Sequence, residues 1–433
     1  MNQTKGIISR SAVIVMIIHC VMWLSATAQT DTTLVDQPLS KREAKKVKKN
    51  KPPEEGDIYF SPVPAIGMNP AFGFMYGVGA AVSSYLGDPA DTKISTALAG
   101  LIFTTKKQTI FTVKSAAYTA HNDLILIGDW RYLDSSQPTY GLGTGPQSAK
   151  LVANGFEFDD GSSIDGIDQA QMLEFKWIRL YETVLKKINS GFYAGVGIHF
   201  DQFSDVNDQM LRLDSLDPQI TSYYAYNVKH DFHQSESTLT GISLNGIYDT
   251  RDNQNNPYKG RYAYINFKMN PTWMGSDQSS TTLWLEYRDY FNFTPDNNNN
   301  ILGFWTWGNF TTSGDLPYLL LPAIGTDQFA KSGRPYAQGR FRGQNMVYAE
   351  TEFRKTVLAT KNNPHFLGMV AFFNITTASA EGNDISLFDY VNKGYGLGLR
   401  IAFNQKARTN IGLDYGWGDY GTQGFYIKLN ETF

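Results

Sequence analysis

Cysteine is almost missing from this chain: 433 residues hold one, Cys20, which excludes a disulfide framework and a cysteine-ligated metal cluster. Charge is also scarce. Asp, Glu, Lys and Arg make up 18 %, and the formal net charge is −3, whereas a nucleic-acid binder needs a basic surplus. Beyond the N-terminus no run approaches the roughly 18 apolar residues of a membrane-spanning helix. The six histidines are scattered without ligand spacing, and no nucleophile elbow, phosphate loop or zinc signature occurs. Asp159, Asp160, Asp165 and Asp168 crowd one stretch but lack the regular spacing of a calcium loop. These absences argue against an enzyme and against a metal or cofactor. What is present is 14 % aromatics and 39 glycines, the supply for a large β protein, either soluble or a membrane barrel.

The N-terminus decides between the two. Lys5 and Arg10 precede a mostly apolar stretch from Ala12 to Leu24, and Ala26-Thr27-Ala28 offers small residues for cleavage. Residues 1–28 therefore read as a secretory signal peptide. Cleavage after Ala28 removes Cys20, and a cysteine-free exported chain needs no oxidative folding. Residues 29–56 carry Lys41, Arg42, Lys45, Lys46, Lys48, Lys49 and Lys51 before Pro52-Pro53, the composition of a flexible basic periplasmic tail. The folded part is expected at 57–433.

That part alternates. In 192–200, Phe192, Ala194, Val196, Ile198 and Phe200 oppose Tyr193, Gly195, Gly197 and His199. In 394–403, Tyr395, Leu397, Leu399, Ile401 and Phe403 oppose Gly394, Gly396, Gly398 and Arg400. One face apolar and the other small or polar is what a strand between lipid and lumen requires. Small inward residues further suit a lumen filled by a plug. Sixteen such segments can be placed, an even number as in bacterial single-chain barrels. With a periplasmic N-terminus, the long connections 134–169, 204–237 and 313–344 fall outside and the short ones inside. The fold predicted is all-β, a 16-stranded antiparallel transmembrane barrel in the outer membrane of a Gram-negative bacterium, with outer-membrane lipid as its surroundings.

The last segment alternates too. Phe425, Ile427 and Leu429 share a face with Phe433, an expected C-terminal assembly signal. Glu431 interrupts that face near the expected periplasmic rim, where a charge costs about 0–1 kcal/mol.

Two further stretches narrow the family. Tyr248-Asp249-Thr250-Arg251-Asp252-Asn253 precedes Pro257 and Gly260, and Gly339-Arg340-Phe341-Arg342-Gly343-Gln344 ends the long loop between the eleventh and twelfth strands. With Gly394 to Arg400 and Leu413-Asp414-Tyr415-Gly416, they resemble the BamA/TamA outer-membrane superfamily, the bacterial surface antigen family. The resemblance implies a surface loop folded into the lumen. There a Val/Ile-Arg-Gly-Phe/Tyr tip docks its arginine on inner-wall carboxylates. Phe341-Arg342-Gly343 matches that tip, with Gln344 in place of the aromatic. Strand alternation sets Tyr348, Glu350, Glu352 and Arg354 on one face, so two inward carboxylates need a cation. Arg342 is the expected partner, with Asn374 and Asp414 as neighbours. Asp249, Arg251 and Asp252 are expected to pin a turn rather than to catalyse.

The resemblance implies protein insertion or translocation at the outer membrane, with protein clients or envelope-complex subunits as partners and no nucleic acid. Residues 29–56 are too few for the periplasmic substrate-collecting modules of well-known members, since domains below about 40 residues rarely stand alone. Two alternatives stay open: a gated or passive pore, and a structural accessory component of an envelope complex.

Overall fold

The computed structural model describes residues 52–433 apart from 70–72, 146–155, 158–162, 165–169, 215, 217, 295–296, 298–299, 329, 362 and 406–407. The leader, most of the basic tail and the acidic cluster at 159–168 lie outside the described residues.

Sixteen strands form one antiparallel sheet in chain order. They are β1 Ile58–Asn69, β2 Gly73–Ser84, β3 Ser95–Thr104, β4 Thr109–Tyr118, β5 Leu124–Thr139, β6 Gln171–Asn189, β7 Phe192–Asp208 and β8 Ser237–Asp249. The second half comprises β9 Gly260–Asn270, β10 Ser280–Asn292, β11 Asn300–Ser313, β12 Asn345–Thr360, β13 Asn363–Ala378, β14 Asn392–Asn404, β15 Thr409–Gly418 and β16 Gln423–Leu429. A short ladder joins Phe156–Glu157 to Ser163–Ile164 within the β5–β6 connection.

The alternation in the sequence becomes an exposure pattern. On β14, Tyr395, Leu397, Leu399 and Ile401 are exposed, while Gly394, Gly396, Gly398 and Arg400 are buried. An apolar exposed face is the lipid face of a barrel, and the buried set faces the lumen. The long connections β5–β6, β7–β8 and β11–β12 all leave from one end of the sheet, as strand parity demands, and no connection at the other end is as long.

The buried clusters therefore sit inside. At the long-loop end, helix α1 (Ser222–Lys229) joins Leu316, Tyr318 and Leu321 to the wall residues Trp177, Phe203 and Leu239. Tyr226 Oη donates to Leu316 O at 2.9 Å, and the Tyr223 and Tyr318 rings meet edge-on at 5.7 Å. Deeper, Trp305, Trp307, Tyr348 and Phe433 pack with Ile324, Tyr336 and Phe341 of the β11–β12 loop.

Two expectations are corrected here. The last strand ends at Leu429 rather than at Phe433. Asn430 adopts a φ of +61°, and residues 430–433 turn inward and are buried. Glu431 and Phe433 thus leave the outer face that alternation assigned to them, because the extended backbone that alternation presumes stops at Asn430. Phe425 and Ile427 do lie on the exposed apolar face; the side chain of Leu429 is not among those described.

Candidate functional site: a loop docked in the lumen

The β11–β12 loop enters the lumen as a closed excursion. Its stem is a main-chain clasp: Ile324 N donates to Phe341 O at 3.1 Å, Gly343 N to Pro322 O at 3.0 Å, and Gly339 N to Ile324 O at 2.9 Å. Residues 325–338 form the tip beyond this clasp. Asp327 shapes the tip by accepting Ser332 N at 2.9 Å and Lys331 N at 3.0 Å.

The receiving wall follows from register. Across β12–β15 one row reads Glu350, Asn374, Gly394, Gly418; the next reads Glu352, Phe372, Gly396, Gly416; the third reads Arg354, Val370, Gly398, Asp414. Carboxylates thus flank a shelf of glycines. A Cβ on Gly394 would come within 2.5 Å of Arg334 O, and one on Gly418 within 2.7 Å of the Tyr336 ring. Only a bare backbone leaves room for the tip.

Arg334 is the docked cation. Its Nη2 lies 2.6 Å from Glu352 Oε2 and also contacts Glu350; its Nη1 contacts Asp414. The guanidinium stacks 3.8 Å from the centre of the Phe372 ring. Asn374 Nδ2 donates to Arg334 O and, at 3.2 Å, to Glu350 Oε2. Burial opposes the charge on Arg334, but Glu350, Glu352 and Asp414 outweigh it and hold the guanidinium well above its ordinary value.

The network extends past the loop. Arg354 Nε binds Glu352 Oε1 at 2.7 Å, Lys428 Nζ binds Asp414 Oδ2 at 2.7 Å, and Arg400 Nε binds Glu431 Oε2 at 2.6 Å. Arg400 also reaches Asp414 and Glu352. Arg334, Arg354, Arg400 and Lys428 therefore face Glu350, Glu352, Asp414 and Glu431, four cations against four anions. Buried charges persist only when so compensated. Tyr336 completes the tip: it contacts Lys393 O, accepts from Asp419 N at 2.9 Å, and packs on Phe341 with ring centres 4.8 Å apart.

The sequence reading placed Arg342 in this role, and that assignment is corrected. Arg342 belongs to the stem, where Gly143 N donates to its carbonyl at 2.7 Å and its main chain bridges Ala323. Its Nη1 donates to Tyr318 O at 2.8 Å, and its ring partner is Tyr318 at 5.2 Å. With no carboxylate beside it among the described residues, burial lowers its pKa, and Tyr318 opposes this. Phe341, Gly343 and Gln344 share the stem; Gln344 O accepts from Thr311 N at 3.1 Å. The wall residues Glu350, Glu352, Asn374 and Asp414 do converge on one arginine, eight positions earlier. A signal for it existed. Arg334-Pro335-Tyr336 keeps an arginine with an aromatic two residues on, whereas Arg342-Gly343-Gln344 keeps the glycine and loses the aromatic. Glu431, Arg400 and Lys428 were also missed as members of the network.

The Asp249 to Asp252 stretch lies at the short-turn end. Asp249 accepts from Arg251 Nε at 3.0 Å, from Tyr118 Oη at 3.0 Å, and pairs with Lys93 Nζ at 3.2 Å. Asp252 accepts from Tyr258 N at 3.0 Å and pairs with Arg408 at 2.7 Å. The two acids thus tie the β8–β9 turn to the β2–β3 and β14–β15 turns. Every carboxylate oxygen named here answers a cation, hydroxyl or amide of the scaffold, a structural pattern.

Known structures share this architecture. BamA from Haemophilus ducreyi, in a form lacking POTRA domains 1-3, superposes with a TM-score of 0.52 at 14 % identity, over 99 % of this chain and 80 % of that one. CdiB from Escherichia coli gives 0.51 at 9 % identity, over 86 % of this chain and 62 % of that one. At such identities the likeness is one of fold. No curated protein sequence matches significantly. The Omp85 superfamily domain matches residues 189–433, more than half of the chain including the docked loop and its wall, and the chain belongs to this superfamily of outer-membrane barrels.

Proposed function

We propose that this barrel serves protein insertion into, or translocation across, the outer membrane, together with partner proteins, in a transport role rather than a catalytic one. The observation that carries the reading is the docked loop. A passive pore gains nothing from four buried cations set against four buried anions around an arginine-tipped plug, since each charge costs several kcal/mol to desolvate. A factor that must stay sealed until a client engages does need a plug fixed in one place. The cap of α1, Leu316 and Tyr318 supports the same reading at the long-loop end, which is the outer surface in this topology.

Depletion in the native cell tests this. Folded outer-membrane proteins, or proteins displayed at the surface, should fall in step with the barrel. If both hold steady while one defined envelope complex loses its integrity, the accessory-component reading replaces this one.

A further inference from the structure

Where β16 ends, the chain is received by a cradle that the docked loop does not explain. Asn430 N donates to Asn410 O at 2.9 Å, and Asn430 Nδ2 to Asn255 Oδ1 at 3.0 Å. Glu431 N donates to Asn255 O at 3.2 Å. Its carboxylate accepts from Arg400 Nε at 2.6 Å and from Asn410 Nδ2 at 2.6 Å. Thr432 Oγ1 accepts from Lys428 Nζ. Phe433 O accepts from Arg354 Nη2 at 2.8 Å.

The Phe433 ring fills a box. Its centre lies 5.5 Å from that of Trp305 and 6.2 Å from that of Tyr290, with the Arg354 guanidinium 5.3 Å away. The box floor is Gly303, where a Cβ would stand 2.9 Å from the ring. A glycine under the aromatic ring, a guanidinium on the main-chain oxygen and a second guanidinium on the acidic side chain together hold Glu431 and Phe433. Their spacing reads the sequence Glu-x-Phe.

Two features make this more than a strand end. Had β16 continued, Glu431 and Phe433 would share the lipid face with Phe425 and Ile427, so the phenyl ring has an apolar place in either arrangement. Glu431 has a partner only in the lumen. The segment also touches the inserted loop, because Lys331 Nζ donates to Glu431 O.

We propose that the cradle of Tyr290, Gly303, Trp305, Arg354 and Arg400 is a recognition site for a short peptide carrying Glu-Thr-Phe. The chain's own residues 430–433 fill it, and filling it latches the tip of the inserted loop through Lys331. The latch does not depend on what the barrel transports.

Two full-length variants test it. Phe433→Ala empties the box. Gly303→Ala leaves residues 430–433 untouched and crowds the ring from below. Folding of each is checked by heat-modifiable migration. Trypsin cleavage after Lys331 reports release of the tip, because cleavage tracks the open population when opening is fast. It should accelerate by about tenfold or more in both variants. The peptide Leu-Asn-Glu-Thr-Phe should restore protection to Phe433→Ala at about millimolar concentration, the range that replaces a tethered segment. It should not protect Gly303→Ala. Unchanged cleavage in the folded variants overturns the latch, and equal protection of both variants overturns the specific cradle. If either variant fails to fold, the other decides by the same cleavage readout.

Discussion

Replacing Arg334 by alanine perturbs the lumen at its most connected point. The side chain is 5 % exposed, and those of Glu350, Glu352 and Asp414 are fully buried. Removing it leaves three cations against four anions. Glu352 keeps Arg354 at 2.7 Å, and Asp414 keeps Lys428 at 2.7 Å. Glu350 keeps only neutral donors, the Tyr348 hydroxyl and Asn374 Nδ2. One buried carboxylate is thus stranded, a loss of about 3–5 kcal/mol. Loss of the stack on Phe372 adds about 0.5–2 kcal/mol. Urea unfolding in detergent micelles measures the sum. Arg334→Lys should recover part, since an ammonium keeps the charge without the planar fork that serves three carboxylates. Arg334→Ala combined with Glu350→Gln should recover most, because a neutral amide still accepts from Tyr348. A cost for Arg334→Ala within about 1 kcal/mol, the size of an exposed pair, would refute the docking argument. So would failure of Glu350→Gln to compensate.

Arg342→Met should cost only about 1–2 kcal/mol in the same unfolding assay, since it removes hydrogen bonds to carbonyls and strands no carboxylate; a loss equal to that of Arg334→Ala would restore Arg342 as the anchor. Asp249→Asn leaves Lys93 and Arg251 without their anion and should cost about 3 kcal/mol, the low end for a buried pair because Lys93 reaches solvent. In planar bilayers the intact protein should show small, intermittent conductance, and deletion of 325–338 should give a steady, larger one; porin-like currents from the intact protein would favour the pore reading. His121 and Asp91 pair at 2.6 Å at the short-turn end, and this hydrogen bond raises the imidazole pKa above its ordinary value. The pair therefore stabilises the turns fully below the unfolded imidazole pKa and is lost as pH rises through the folded one; Asp91→Asn should return the NMR titration of His121 to the ordinary value.

Strand identity was legible because the lipid–lumen division writes itself at period two. Tyr395, Leu397, Leu399 and Ile401 against three glycines and Arg400 admits one reading, which sets the two faces and leaves the register to the structure. The inward set of Glu350, Glu352, Asn374 and Asp414 was legible for the same reason. The docked arginine was marked only by the aromatic two residues after it, and the glycine after Arg342 outweighed that sign. Arg334 and Arg342 are eight residues apart in one loop, and which of them reaches the wall depends on where the loop clasps itself. That clasp is made by main-chain atoms of Pro322, Ile324, Phe341 and Gly343, which carry no side-chain signature. The end of β16 was misread because alternation presumes continuing extended backbone. Asn430 ends it with a positive φ, which asparagine tolerates better than most residues. Glu431, a charge on an otherwise apolar face, was the local sign that the strand had stopped.

The placement of the tip can be trapped directly. A Cβ on Gly416 would lie 2.9 Å from Pro335 Cβ, close to the 3.5–4.5 Å or so that a disulfide spans. The chain's single cysteine, Cys20, lies within the expected leader, so Pro335→Cys with Gly416→Cys introduces an isolated pair. The docked loop predicts that this pair oxidises during export without added oxidant, in a folded barrel whose tip then resists trypsin. A folded barrel in which both thiols stay free and the tip remains cleavable would contradict it.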